Sequence, residues 1–367
     1  MMSFSDLPKI LEVLNIKEES QLLLINADSL ASLYYPPFPP DQSVLIFNLI
    51  PDGPIQKICS LLKRIYADDQ DCQVLHKTAQ DAWEIYTTKI KDINEIKNSS
   101  VVFLSPALAS SSLEAFEDLI AHLRSPEGCP WDREQTHLTL RSNLLEETYE
   151  VIQVLDENDI TGLKEEMGDL LLQIVLHCQI SNEAGEFNLS QVIQGIYAKI
   201  VHRHPHVFKG MKVSSSEGVI RNWEVLKSAE RVENGKGGGQ SILSGVPKAM
   251  PALSLAQEYQ KRAARVGFDW PNFEPVLDKV YEELAELKGA ETQSLKEDEL
   301  GDLLFAVVNL ARWLGVDAES GLRKMTGRFF RRFNFIEEKV HQQGRKLQDM
   351  KLAEMDVLWE EAKSMGL

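Results

Sequence analysis

Two stretches of the chain carry acids at the same spacing. The first reads Glu146-Glu147-x-x-Glu150, then Glu166-x-Gly168-Asp169; the second reads Glu282-Glu283-x-x-Glu286, then Glu299-x-Gly301-Asp302. Helix residues three apart share a face, so each half of each signature presents a comb of two carboxylates. Two such helices packed antiparallel bring four carboxylates to one point, where they repel unless a cation neutralises them. A ligand set of hard oxygens, without Cys or His, favours Mg²⁺ or Mn²⁺ over zinc. The bland alternative is a solvated glutamate stripe. Against it, Leu144, Leu145, Val151 and Val154 surround the first comb, and Leu284, Leu287, Leu304, Phe305 and Val307 border those of the second copy. Carboxylates next to such apolar runs fit a solvated face poorly.

Long amphipathic helices are needed to hold these combs, and the chain supplies them from about residue 111 onward. Ser111 and Ser112 before Glu114 predict a helix N-terminus. The first hundred residues differ in texture. Short β-like runs at Gln21–Asn26, Ser43–Leu49, Cys72–Lys77 and Ser100–Leu104 alternate with a proline-rich turn at 35–40 and a helical stretch from Pro54 to Tyr66. That pattern predicts a small α/β module over 1–108. The glycine-rich run around 233–241 reads as a linker, placed at 229–245. It separates two helical repeats, at 111–228 and 246–367. The fold class expected is therefore mainly α, two tandem all-α helical-bundle domains preceded by a small α/β module. A repeat this short buries its core better against another copy, so pairing within the chain or a homodimer is expected.

The chain has 367 residues with 39 basic and 56 acidic side chains, a net charge of −17. That balance argues against a nucleic-acid-binding surface, which needs a basic footprint. It leaves room for anionic nucleotides, because a bound divalent cation reverses the local sign. Four cysteines without a CxxC pair point to a reducing, cytoplasmic setting. The N-terminus lacks the basic and apolar regions of a signal peptide. The longest apolar run, after Asp169, is too short to span a bilayer, so no membrane role is expected.

The region from 111 to the end resembles MazG-type nucleoside triphosphate pyrophosphohydrolases with tandem MazG domains. CPWDREQTH (129–137), LLEETYEV (144–151), EEMGDLLLQIVLH (165–177) and HRHPHVF (202–208) carry the likeness in the first copy. RAARVGFDW (262–270), YEELAE (281–286), EDELGDLLFAVVNLAR (297–312) and WEEAK (359–363) carry it in the second. The first hundred residues resemble the C-terminal half of a tetrapyrrole methylase domain, through PPFPPDQSVLIFNL and KICSLLKRIYADDQDCQVLHK. The half with the glycine-rich cofactor turns has no counterpart, so no methyltransferase activity is expected.

The resemblance implies an all-α bundle that uses Mg²⁺ to cleave a nucleoside triphosphate between its α and β phosphates. The implied metal ligands are Glu283, Glu286, Glu299 and Asp302 in copy two, and Glu147, Glu150, Glu166 and Asp169 in copy one. Glu146 and Glu282 either orient or deprotonate the attacking water, or face outward. Lys279, Lys296, Arg328 and Arg332 are candidate phosphate ligands, with Lys199 and Arg203 as the basic pair of copy one; a solvated basic face is the alternative. Trp359 and Trp270 are candidates for stacking on base or sugar, and Asn309 for recognising either, although buried Trp is more often core.

The copies are not equivalent, because Lys279, Lys296 and Asn309 correspond to Asn143, Leu163 and Leu176. Copy two is accordingly expected to carry the main activity. A di-iron bundle would need ExxH on two helices, and Glu134-x-x-His137 and Glu338-x-x-His341 lie outside the acid signatures. Pro205 interrupts any helical face for His202, His204 and His206, which favours a loop or helix-end role. A non-catalytic nucleotide sensor and a narrow dUTP- or dCTP-type hydrolase are the competing functional readings.

Overall fold

The computed structural model describes residues 4–16, 21–50, 53–97, 100–212, 215, 218–219, 222–223, 225–227, 230 and 241–367. Most of the linker expected at 229–245 lies outside them. The N-terminal module is a five-stranded sheet in the order β1 (Leu23–Asn26), β2 (Val44–Leu49), β5 (Ser100–Leu104), β3 (Asp71–Lys77), β4 (Trp83–Lys89). β1 runs parallel to β2, and the remaining pairs are antiparallel. Period-two alternation sends Val44, Ile46, Val74 and Val102 to one face, against α2 (Ala27–Ala31) and α3 (Ile55–Leu62). Leu45, Leu75, Val101 and Phe103 face the other way and pack with Ile10 of α1 (Leu7–Val13). The strands expected from sequence form within a residue or two of their predicted limits, but β4 was not anticipated. It is an edge strand with an exposed middle, so it carries no buried stripe for a sequence reading to find.

No strand follows Leu104 among the described residues. α4 (Leu113–Arg124) starts where the serines predicted, with Ser112 Oγ accepting from the Ala115 N–H at 3.2 Å. It is followed by α5 (Pro130–Glu134), α6 (Arg141–Glu157), α7 (Ile160–Glu183), α8 (Leu189–Arg203) and α9 (Pro205–Phe208). After residue 241 come α10 (Ala252–Arg265), α11 (Glu274–Gly289), α12 (Gln293–Trp313), α13 (Ala318–Gln342) and α14 (Leu352–Ser364).

Packing divides the chain into two compact units, 1–147 with 168–192, and 148–167 with 193–367. The division runs through α6 and α7 rather than between the repeats, because the two ends of these long helices have different neighbours. In the first unit, Val175, Leu176 and Cys178 of α7 form a core with Ile120, Leu140 and Leu189. In the second, Arg323 of α13 donates to Asp156 of α6 at 2.9 Å, joining segments of the two copies. Also in the second unit, α12 packs against α10, α11 and α13.

Candidate active site

In the second unit, α11 and α12 form a hairpin. The short link ends in Thr292, whose hydroxyl caps α12 by accepting from the Leu295 N–H at 3.3 Å. Carboxylate oxygens of Glu283 and Glu286 on α11 and Glu299 on α12 lie within 4.8 Å of one another. Asp302 follows Glu299 by three residues on the same helix. Glu283 is buried, at 5% exposed, and its charge is met by Lys279 one turn earlier, with Nζ 2.6 Å from Oε1. Partial burial raises the Glu299 carboxyl above the usual range, with repulsion from Glu286, Asp302 and Glu283 adding to it. One ammonium against this many carboxylates leaves excess negative charge on an all-oxygen donor set, which suits a hard divalent cation. Among the described residues, the clusters of His, Cys, Asp and Glu close enough to hold an ion consist of glutamates alone.

Beside the cluster lies a cavity of about 660 Å³. Lys279, Glu283 and Asp302 line one part of it, and Phe268, Trp270, Asn309 and Arg312 also contribute to its wall. The wall is braced by polar contacts. Arg312 forks onto Asp269 at 2.5 and 2.9 Å and donates through Nε to Asn309 Oδ1 at 2.9 Å. The Trp313 indole N–H adds a bond to Asp269 at 3.1 Å. Partial burial works to raise the Asp269 carboxyl, but these donors and the Trp270 N–H hold it below its ordinary value. Gly267, at φ 89°, ends α10 in a left-handed conformation that a side chain would strain, and so turns Phe268 and Trp270 toward the cavity.

The structure thus gathers Glu283, Asp302, Lys279, Asn309 and Trp270 at one cavity, with Glu286 and Glu299 joined to Glu283. It does not bring Lys296, Arg328, Arg332 or Trp359 to that wall. Lys296 is exposed in the first turn of α12. Arg328 reaches Met325 Sδ at 3.4 Å. Arg332 sits 5.4 Å over the Trp359 ring and donates to the Leu367 carbonyl at 2.6 Å. Trp359 packs with the core of Ile336, Val340 and Leu358. Glu282 is more than half exposed and accepts from Lys279 at 2.9 Å. Of the apolar residues beside the combs, Leu145, Leu284 and Leu304 are at least half exposed, Leu144, Val151 and Leu287 are half-buried, and Val154 is buried.

In copy one, Glu147 and Glu150 lie on α6, and Glu166 and Asp169 on α7. Glu150 and Glu166, both in the second unit, offer oxygens within 4.8 Å of each other. Glu146 is exposed on α6 and Lys199 on α8. Arg203 is held by Glu230 at 2.5 Å and lies 5.2 Å over Trp223. The Arg203 bond, with help from His202, draws the Glu230 carboxyl down to about 2. Seven residues after each of Trp223 and Trp359, copy one has Glu230 where copy two has Gly366. His204 is hydrogen-bonded to the Ile200 carbonyl, consistent with a helix-end role. His137 pairs with His177 (2.7 Å between Nδ1 atoms) rather than with Glu134.

The signal for the missed wall residues Asp269 and Arg312 was present in RAARVGFDW and in the last residues of EDELGDLLFAVVNLAR, but their contact joins segments 43 residues apart. A model of the MazG nucleotide pyrophosphohydrolase domain matches residues 135–208. The nucleoside triphosphate pyrophosphohydrolase/pyrophosphatase MazG of Thermotoga maritima is 45% identical over 252 residues, 68% of this chain and 95% of that protein. The chain belongs to the MazG family. The Escherichia coli K12 nucleoside triphosphate pyrophosphohydrolase is 42% identical over 251 residues, 67% of this chain and 94% of that one. Bacillus subtilis YabN is 39% identical over 307 residues, 81% of this chain and 62% of its own length. The domain model takes in the MazG acids of copy one, whereas a 252-residue match is longer than either copy alone.

Proposed function

We propose that the chain hydrolyses nucleoside triphosphates between the α and β phosphates, releasing a monophosphate and pyrophosphate, chiefly at copy two. The observation that carries this reading is the cavity with the Glu283 carboxylate cluster on one side and aromatic and amide groups along its wall. Names of relatives over nearly their full length support the same chemistry. Glu283, Glu286, Glu299 and Asp302 would hold Mg²⁺, or Mn²⁺ in its place. When bound, that ion supplies charge neutralisation for the phosphates and acidifies water. Lys279 binds a phosphate oxygen, Trp270 and Phe268 offer faces to the base, and Asn309, fixed by Arg312, presents its amide to base or sugar. Copy one keeps its acids, but it has Asn143 and Leu176 where copy two has Lys279 and Asn309, which supports a lesser role.

Exposed Tyr281 and Leu284 on α11, Leu304 on α12, and Phe329 and Phe330 on α13 make apolar helix faces of the kind a second copy covers, so a homodimer is part of the proposal. The four cysteines are free, in keeping with a cytoplasmic setting, and the charge of −17 disfavours nucleic acid as a partner. Among the described residues no helix is long and apolar enough to cross a membrane. The N-terminal module is a sheet without methyltransferase activity in this reading.

Turnover of each common NTP and dNTP is measured after chelation and after adding back Mg²⁺ or Mn²⁺. Metal-restored turnover is the expected result. A strong preference for dUTP or dCTP would narrow the class, and nucleotide binding without turnover under any metal would replace the enzyme with a sensor.

A further inference from the structure

α10 carries two buried glutamines one turn apart, and they differ in one respect. Gln257, 3% exposed, is satisfied at both ends of its amide: Nε2 donates to the Val316 carbonyl at 2.8 Å and Oε1 accepts from the Ala318 N–H at 3.0 Å. It ties α10 to the start of α13. Gln260, 8% exposed, uses only its donor, from Nε2 to the Phe305 carbonyl at 2.9 Å. Its Oε1 is buried and has no partner among the described residues. Flipping the amide would set oxygen against the Phe305 carbonyl, acceptor against acceptor, so the orientation is fixed. A buried carbonyl left without a donor is costly, and a side chain kept in that state at a cavity wall is waiting for a donor from elsewhere. Gln260 lines the cavity that holds Lys279, Glu283 and Asp302.

We propose that Gln260 Oε1 reads a sugar hydroxyl of the bound nucleotide, which makes Gln260 a specificity-determining residue; this rests on the triphosphate reading of the same cavity. α12 serves as the ruler. Phe305, which anchors the Gln260 amide, is three residues beyond Asp302, or roughly 4.5 Å along the helix. Asn309 is seven residues beyond it, roughly 10 Å. With phosphates at Asp302 and the base at the level of Asn309, the group between them is the sugar. Of the sugar's polar atoms only its hydroxyls can donate to a carbonyl oxygen, and the ring oxygen cannot. Phosphate oxygens, being acceptors, are excluded.

The test uses calorimetry on the full chain with Mg²⁺ and α,β-methylene triphosphates, which resist cleavage at the α–β bond. Parent ribonucleotides are compared with the 2′-deoxy and 3′-deoxy forms and with inorganic tripolyphosphate. The wild type is expected to lose about tenfold in affinity when one of the two hydroxyls is deleted, and the series identifies which one. Gln260→Met is expected to bind the parent about tenfold more weakly, to treat parent and deoxy forms alike, and to bind tripolyphosphate as the wild type does. Equal binding of all three sugars by the wild type overturns the proposal without recourse to any variant. So does a Gln260→Met protein that keeps the full hydroxyl preference, or one that loses tripolyphosphate affinity in parallel. Failure to bind any triphosphate overturns the triphosphate reading as well, whereas turnover with an unchanged hydroxyl preference in Gln260→Met overturns this proposal alone.

Discussion

Replacing Lys279 by methionine keeps most of the side chain's length and removes the cation that the structure pairs with buried Glu283 at 2.6 Å. Stripping one partner from a fully buried pair costs about 3–5 kcal/mol, because the remaining charge is left uncompensated. The Glu283 side chain is 6% exposed, but that of Lys279 is 38% exposed, so water screens part of the interaction. The expected loss is therefore about 1–3 kcal/mol in metal-free protein. Hydrogen exchange along α11 in the presence of a chelator reads this locally, as a drop in protection that global unfolding of other regions does not obscure. Saturating Mg²⁺ supplies the missing positive charge and is expected to narrow the gap between variant and wild type to within about 1 kcal/mol, since a ligand of the folded state stabilises by mass action. Equal protection of the two proteins in chelator would contradict the pairing of Lys279 with Glu283, and so would a deficit that Mg²⁺ leaves untouched.

Two further substitutions separate the copies and test the electrostatics. Glu286→Ala is expected to lower kcat/KM at least about a hundredfold, and Glu150→Ala to leave most of the activity, both in one steady-state assay; equal losses would remove the distinction between copies. Glu230→Gln bears on stability against pH. The Glu230 carboxyl sits at about 2 in the fold, below its ordinary value of 4.5, chiefly through the Arg203 bond. Its contribution is present above the unfolded-state value and is lost as pH falls from about 4.5 toward 2. The variant is thus expected to be about 1–3 kcal/mol less stable at pH 7 in urea titrations, with the difference fading below pH 4.5. A pH-independent difference would contradict this.

The parts of the site legible in the sequence are those set by helix period. Glu283/Glu286 and Glu299/Asp302 could be placed on shared faces because spacing within a helix determines direction. Lys279 and Asn309 followed from the same count, one turn before the first comb and two turns after the last acid. Ser112 could be read as a cap from residue type alone. What escaped were contacts between segments. Gln260, Asp269 and Arg312 acquire their roles only when α10 and its glycine-ended turn lie against α12. A glutamine on the inner face of a helix gives no sign of whether both ends of its amide will be met. Arg328 and Arg332 stand one turn apart on α13, a spacing as regular as that of the acids. Period alone does not say which neighbour a face will meet, and here Arg332 meets Trp359 and the Leu367 carbonyl. β4 was invisible for the opposite reason, because an edge strand with an exposed middle carries no buried period to count.

Triphosphate hydrolysis between the α and β phosphates at the Glu283 cluster can be followed through its products by ³¹P NMR. The wild-type chain and Glu286→Ala are incubated side by side with a nucleoside triphosphate and Mg²⁺. Monophosphate and pyrophosphate appearing together, and largely absent with the variant, is the predicted result. Diphosphate with orthophosphate would contradict the bond assignment, and undiminished pyrophosphate release by the variant would contradict the site.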